Sequence, residues 1–373
     1  MKKIVFLSWT RADFWKIKSL LWILHNSWDF ESHIFVTGMH MNPKYGKTIW
    51  EIYKCWYDNI YGYENHDPDT ITSTEQLLAS TIVWFSEYIH RISPDLIVVH
   101  WDRPETLAGA IVWSCNNILV AHIEWGELSW TLDESIRHAV TKLSHIHFVT
   151  NDVSQKRLMQ MGEMETSIFV IGSPDIDIVM SPSLPALSQV QDYYDISYEK
   201  FSIALFHPVT TESHLFQKYS ENFVQALILS QKNYIVIFPN NDQGNQYIFE
   251  NYEKLHSNNS FHILPSIRFE YFLTLLKNAE YIIGNSSSGI FEAPYYWVPA
   301  INIGTRQQHR FHTNNIIHTG YEVHEILAGI ANISQKMPIS MPFGEGNSST
   351  LFLETLSNDA MWQIPKQKSF SHF

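Results

Sequence analysis

The sequence predicts an α/β chain of two domains, each built on a parallel sheet and facing a cleft, and three features carry that expectation. Short apolar runs alternate with helix-length segments along most of the chain, the pattern of strands covered on both faces by crossover helices. The alternation breaks at Gly172-Ser173-Pro174-Asp175 and again over the polar residues 181–191, then restarts. A length of 373 residues also exceeds what one hydrophobic core usually holds. The expected boundaries are 1–178 and 179–345, with a polar tail, 346–373, that is free to pack back on the first domain.

Residues 2–7 read as the first strand, followed by SWTRADFWK and a helix from Asp13 to residue 24. A strand at 33–37 leads into a polar segment with Asn42, Pro43 and Gly46, and a helix follows at 76–92. The run DLIVVH, 95–100, is a buried strand, the next helix covers 105–115, and a further strand covers 118–122. Thr131 to Glu134 has capping-box spacing, so a helix starts there. Strand 146–150, helix 153–161 and strand 168–171 complete the first half. The second half repeats the theme with strands at 201–206, 234–238, 261–264, 281–284 and 300–303. Its helices fall at 215–230, after Gly244, at 268–278 and from Ser288, and the tail has a helical stretch at 350–356.

The formal net charge of −13 argues against a nucleic-acid-binding surface. Cys55 and Cys115 cannot build a disulfide framework, which points to a reducing cytoplasm. No apolar run reaches the length of a membrane span, and residues 1–7 are too short for a signal core.

One imbalance needs a cause. The chain has 13 Trp and only 15 Gly, 28 residues in 373, about 7.5%, the share glycine alone usually takes. Trp9 and Trp15 flank the first strand-to-helix turn, Trp101 follows a strand, and Trp125 and Trp130 punctuate an acidic loop. Tight turns beside a ligand favour a residue without a side chain. The expectation is that a codon meaning glycine in the source stands behind many of these tryptophans.

Polar residues crowd the strand ends, where open α/β sheets bind ligands. Arg11 and Asp13 follow the first strand, and Asp102 and Arg103 follow DLIVVH. Glu124 opens HIEWGELSWTLDESIRHAVTKLSH, which also carries Glu127, Asp133, Glu134, Arg137 and His138. Carboxylates in different settings can hold different protonation states, which proton abstraction and return require. In the second half His207 follows a strand, and an imidazolium facing a phosphate would stabilise leaving-group charge. Asn285-Ser286-Ser287-Ser288-Gly289 follows another, where backbone N–H groups and a helix end could cradle a diphosphate. The remaining histidines lack metal-site spacing.

Read with glycine at the suspect tryptophans, SWTRAD, VVHWDR, HIEWGELSWTLDESIRHAVTKLSH, FHPVTTE, GNSSSGIFEAPYYWVP and INIGTRQ resemble the hydrolysing UDP-N-acetylglucosamine 2-epimerases of sialic- and legionaminic-acid biosynthesis, over residues 1–310. The Asp102-Arg103 pair and the SIRHA run favour that hydrolysing branch over the non-hydrolysing one. The resemblance implies two Rossmann-like domains of the glycosyltransferase B type, with UDP on the C-terminal half. It implies Asp102, Glu124 and Asp133 as acid/base carboxylates and His207 as the catalytic histidine. The implied nucleotide contacts are Arg11, Arg103, Ser286, Ser287, Glu292 and Arg306. The departures from the pattern are tryptophans at family glycine positions 9, 101, 125, 130 and 297. The implied partner is a UDP-sugar, either UDP-N-acetylglucosamine or UDP-2,4-diacetamido-2,4,6-trideoxyglucose, with no cofactor and no metal. The implied assembly is a homo-oligomer, dimer or tetramer. A glycosyltransferase of the same fold and an inactive UDP-sugar-binding protein are the alternatives.

Overall fold

The computed structural model describes residues 1–43, 46–65, 73–125, 132–239, 244–307, 314–333, 341 and 343–368, leaving aside the side chains at 125, 132, 133, 210, 211 and 213. It divides into two compact units, Met1–Ile178 together with Pro342–Phe373, and Val179–Met341.

The first unit runs β1 (Lys2–Ser8), α1 (Arg11–His25), β2 (Phe30–Val36), α2 (Ile49–Tyr53), β3 (Asn59–Gly62), α3 (Thr74–Ile92) and β4 (Leu96–His100). It continues with α4 (Pro104–Ser114), β5 (Leu119–Trp125), α5 (Leu132–Leu143), β6 (Ile146–Val149), α6 (Asp152–Gln160), β7 (Ile168–Val170) and α7 (Pro174–Val179). All described strand pairs are parallel, in the order β3-β2-β1-β4-β5-β6-β7. Successive β1 side chains serve opposite faces, as strand geometry requires. Ile4 and Phe6 join one apolar cluster with α1, and Val5 and Leu7 join another with α3 and α4. Burial on both faces is why these strands read as unbroken apolar runs.

The second unit contains α8 (Leu187–Tyr194), β8 (Ser202–Leu205), α9 (Phe216–Leu229), β9 (Tyr234–Ile237), α10 (Asn245–Tyr252) and β10 (Phe261–Leu264). It ends with α11 (Phe269–Asn278), β11 (Ile282–Gly284), β12 (Ala300–Ile303), β13 (Ile316–Thr319) and α12 (Val323–Ala331). Its sheet is also parallel, ordered β10-β9-β8-β11-β12-β13. Gly284 is at φ 137°, and a Cβ there would run into the Leu205 carbonyl of the neighbouring strand; only glycine allows that approach.

The tail supplies α13 (Ser348–Leu356) and α14 (Asp359–Trp362) to the first unit. Phe352 on α13 has its ring 4.8 Å from Phe148 and 6.4 Å from Phe6. The backbone N–H groups of Ser348 and Ser349 each donate to the Asp177 carboxylate at 2.8 Å, which caps the helix from α7.

The structure corrects three sequence expectations. The helix expected from Ser288 is replaced by two 3-10 turns, Ser287–Gly289 and Ala293–Tyr296, because Gly289 and Pro294 do not sustain an α-helix. The stretch around 172–191, expected as irregular, holds α7 and α8, with Pro174 opening α7 where its missing N–H costs nothing. Strands β3 and β13 went unread because both are half-exposed edges without an apolar run.

Candidate active site

In each sheet the first strand sits between neighbours reached by connections running in opposite directions: β1 between β2 and β4, and β8 between β9 and β11. Such switch points open a crevice beyond the carboxyl ends of the strands. Both strand-end clusters expected from the sequence lie there.

In the first unit the cluster centres on His100, the last residue of β4 and fully buried. Its Nδ1 is 2.7 Å from Asp13 Oδ1 and its Nε2 is 3.0 Å from Glu124 Oε2. Asp13 is in the first turn of α1, where it accepts from the Trp9 N–H at 3.2 Å while Thr10 caps the helix. Lys16, one turn further along α1, places Nζ 3.7 Å from Glu124 Oε2 and also pairs with Asp175 at the start of α7. The Ser173 hydroxyl contacts both Glu124 and Asp175.

Glu124 is aimed into this group by backbone strain. Its φ is 58°, and the β5–β6 register shifts between Ile123 and Trp125, so Glu124 is the extra residue of a bulge. Bulges of this kind re-aim side chains, and left-handed conformations at non-glycine residues concentrate at working sites.

Charge is distributed unevenly in the cluster. Burial alone would lower the His100 pKa, but its bonds to Asp13 and Glu124 raise it to about 9, so the ring is an imidazolium at neutral pH. Glu124 pays a desolvation penalty that Lys16 and His100 overcome, and its pKa falls below the usual carboxylate value. Asp175 moves the other way: burial and the Glu124 charge raise it against the pull of Lys16. Neighbouring acids pushed apart in this manner can divide donor and acceptor roles.

Asp102, two residues beyond His100, is buried and receives Arg137 Nε at 3.1 Å and Nη2 at 2.5 Å, a charge-assisted bond from α5. The turn is fixed by Trp101 at φ 64°, whose carbonyl accepts from His122 Nε2 at 2.8 Å. Burial keeps His122 neutral, its pKa well below the ordinary value. Arg103 lies over the Trp9 ring at 5.3 Å, and Arg11 pairs with Glu51 at 3.0 Å. Asp133 is on α5, but its side chain, and the loop from Gly126 to Thr131 with the expected cap, lie outside the described residues.

In the second unit Asn285 organises the site. Its side chain accepts from the His207 N–H at 2.7 Å and donates to the His207 carbonyl at 2.8 Å. Its own carbonyl accepts from Arg306 Nη1 at 3.1 Å and Gln307 Nε2 at 2.9 Å. His207, Ser286, Ser287 and Arg306 are thereby gathered at the ends of β8, β11 and β12, with Glu292 buried in the segment that follows β11. Two details differ from the sequence reading. Burial and the Arg306 charge lower the His207 pKa well below 6.5, so it is a neutral donor or acceptor rather than an imidazolium. The serine turn leads into a 3-10 turn, so an anion there would rely on individual N–H groups and Arg306 instead of a helix dipole.

Sequence reasoning noted Asp13 but assigned it no role, and it missed His100, Lys16, Ser173 and Asp175. His100 closes an apolar run and looked like its polar end, while Ser173 and Asp175 looked like linker.

The family model described as UDP-N-acetylglucosamine 2-epimerase matches residues 23–357. The chain belongs to the UDP-N-acetylglucosamine 2-epimerase family. It is 44% identical over 99% of its length, and 99% of the relative's, to a UDP-N-acetylglucosamine 2-epimerase of Neisseria meningitidis serogroup B. It is 32% identical to a hydrolysing UDP-N,N'-diacetylbacillosamine 2-epimerase of Legionella pneumophila, over 94% of each chain. The fold matches the crystal structure of the Methanocaldococcus jannaschii UDP-GlcNAc 2-epimerase in complex with UDP-GlcNAc and UDP, with a TM-score of 0.80, 22% identity, and coverage of 96% of this chain and 99% of that one. The two-domain, parallel-sheet architecture is that of UDP-N-acetylglucosamine 2-epimerases, as the resemblance implied.

Proposed function

We propose that this chain is a hydrolysing 2-epimerase that converts UDP-N-acetylglucosamine, or its 2,4-diacetamido-2,4,6-trideoxy counterpart, into the free 2-epimeric sugar and UDP. The observation that carries this reading is the pair of buried carboxylates on neighbouring strand ends with different cationic partners: Glu124 against His100 and Lys16, Asp102 against Arg137. Two such groups can take a proton from one face of a sugar carbon and return one to the other. The clamp on Asp102 also joins the two motifs that favour the hydrolysing branch, since Arg137 belongs to the SIRHA run.

In the proposed reaction a carboxylate removes the C2 proton as the C1–O bond breaks, and UDP departs with the bonding electrons to leave a 2-acetamidoglycal. Water then adds its oxygen to C1 while C2 gains a proton on the opposite face. Asp102, Glu124 and Asp133 share the proton work, and His100 keeps Glu124 ionised and oriented. Arg306, the N–H groups at Ser286 and Ser287, and His207 meet the departing diphosphate; Glu292 serves the ribose hydroxyls, and Arg11 and Arg103 complete the nucleotide contacts. The name of the Legionella relative, which specifies hydrolysis, supports the second half of the sequence of steps.

Product analysis tests the proposal. Protein purified from the cells that encode it is incubated with UDP-N-acetylglucosamine and followed by ion-exchange chromatography. Free sugar and UDP appearing together support it, whereas a UDP-linked epimer as the stable product makes the enzyme non-hydrolysing, with UDP rather than water adding to the glycal.

A further inference from the structure

Nine non-glycine residues in the described parts of the chain have backbones in the left-handed region. Lys47, Ser93, Asn117, Glu124, Asp195 and Gln231 each represent their residue type once, but tryptophan occurs three times, as Trp56 (φ 62°), Trp101 (φ 64°) and Trp297 (φ 59°). With only 13 tryptophans in 373 residues this is a large excess, and a bulky side chain is the least suited to that conformation. Two of the three, 101 and 297, are positions where the family resemblance implies glycine.

The surroundings agree. Trp56 is 83% exposed and Trp297 52% exposed, so their rings contribute little burial against the backbone cost. Trp9, another position where the family resemblance implies glycine, is buried with an indole N–H that finds no hydrogen-bond partner among the described residues, an unsatisfied buried donor. Trp362 is the contrast: its N–H donates to the Leu356 carbonyl at 2.8 Å, its ring lies near-parallel to Phe30 with centroids 6.4 Å apart, and Lys2 sits over it. That site is built for an indole.

We infer that positions 56, 101 and 297, and with them position 9, hold glycine in the protein as its own cells make it, through a codon those cells translate as glycine, while position 362 holds tryptophan. The consequence for the site rests on the function proposed above. The Trp101 ring lies 5.5 Å from His100, with Lys16 Nζ 5.9 Å from its centroid, and the Trp9 ring lies against Arg103. Glycine at both positions frees the faces of His100, Lys16 and Arg103 for a ligand and leaves the turn into Asp102 unstrained.

The test does not depend on activity. The gene should carry UGA at codons 9, 56, 101 and 297 and UGG at codon 362. Peptide mass spectrometry of protein from native cells should then give glycine masses at the first four positions, including the tryptic peptide 4–11, and a tryptophan mass at 362. Tryptophan masses at 56, 101 and 297 overturn the inference whether or not the protein is an epimerase. In protein made in a standard host from a synthetic gene with UGG at every tryptophan codon, Trp56→Gly should raise the melting midpoint by about 1–2 °C and Trp362→Gly should lower it; the reverse order contradicts the argument from backbone conformation.

Discussion

Among the described residues the first unit buries two histidine–glutamate pairs of nearly equal length, one with a cationic histidine and one with a neutral histidine. His100 Nε2 is 3.0 Å from Glu124, and His147 Nε2 is 2.9 Å from Glu163. His100 has a second carboxylate, Asp13, on its other nitrogen and is held at about 9. Among the described residues His147 has no hydrogen-bond partner on Nδ1, and Glu163 is already shared with Lys142 and Lys368; burial wins and the His147 pKa falls. Backbone separates them as well. Glu124 sits on a bulge in a left-handed conformation, whereas Glu163 is outside the left-handed set and ties the tail to the unit through Lys368. The pair itself is therefore not the mark of a site. A second carboxylate, stored strain and a place at the sheet's switch point set the candidate site apart.

Neutralising the two glutamates should separate the pairs most strongly. Glu124→Gln should lower turnover by roughly 10²–10⁴-fold and leave UDP affinity within several-fold. Glu163→Gln should leave turnover within about two-fold and cost roughly 2–3 kcal/mol of stability, discounted for the partly exposed lysines. Steady-state kinetics beside urea denaturation separates the two; a folded Glu163→Gln protein as inactive as Glu124→Gln would erase the distinction.

Next in size is the pH dependence, where the two histidines should pull in opposite directions. The folded pKa of His100 is raised, so its contribution is complete below 6.5 and is lost as pH rises toward about 9, an amplitude of about 3 kcal/mol. The folded pKa of His147 is lowered, so its contribution is present above 6.5 and is lost on acidification. Urea midpoints across this range should show the alkaline loss vanish in His100→Gln and persist in His147→Gln. An alkaline loss unchanged in His100→Gln would mean that His100 is not the charged member.

Smaller effects sharpen the roles at the periphery. Arg306→Ala should weaken UDP binding by about 10–100-fold in calorimetry, the worth of a charge-assisted contact, and normal binding would remove it from the nucleotide site. Lys368→Ala should cost about 1 kcal/mol and loosen the tail without changing kcat, which hydrogen exchange over α13 and α14 would report.

Much of this architecture is legible in the sequence because parallel strands buried on both faces leave apolar runs, and such runs end where open α/β sheets bind ligands. Glu124, Asp102 and the serine turn were visible for that reason. What escaped was assembled over distance. His100 meets Asp13 across 87 residues, and Lys16 meets Asp175 across 159, so no local pattern announces either contact. The bulge at Glu124 was hidden too, since an inserted residue leaves the apolar run of β5 intact. Half-exposed edges such as β3 and β13 carry too little burial to imprint a period.

Exchange of the C2 proton by the strand-end carboxylates, in a reaction completed by water, is read out by turnover in deuterated water. Protein from native cells is incubated with UDP-N-acetylglucosamine in D2O and the products are read by proton NMR and mass spectrometry. UDP and a free 2-epimeric sugar carrying one deuterium at C2 are the expected products. Free sugar with no deuterium at C2, or epimerised sugar still joined to UDP, would contradict the proposed reaction.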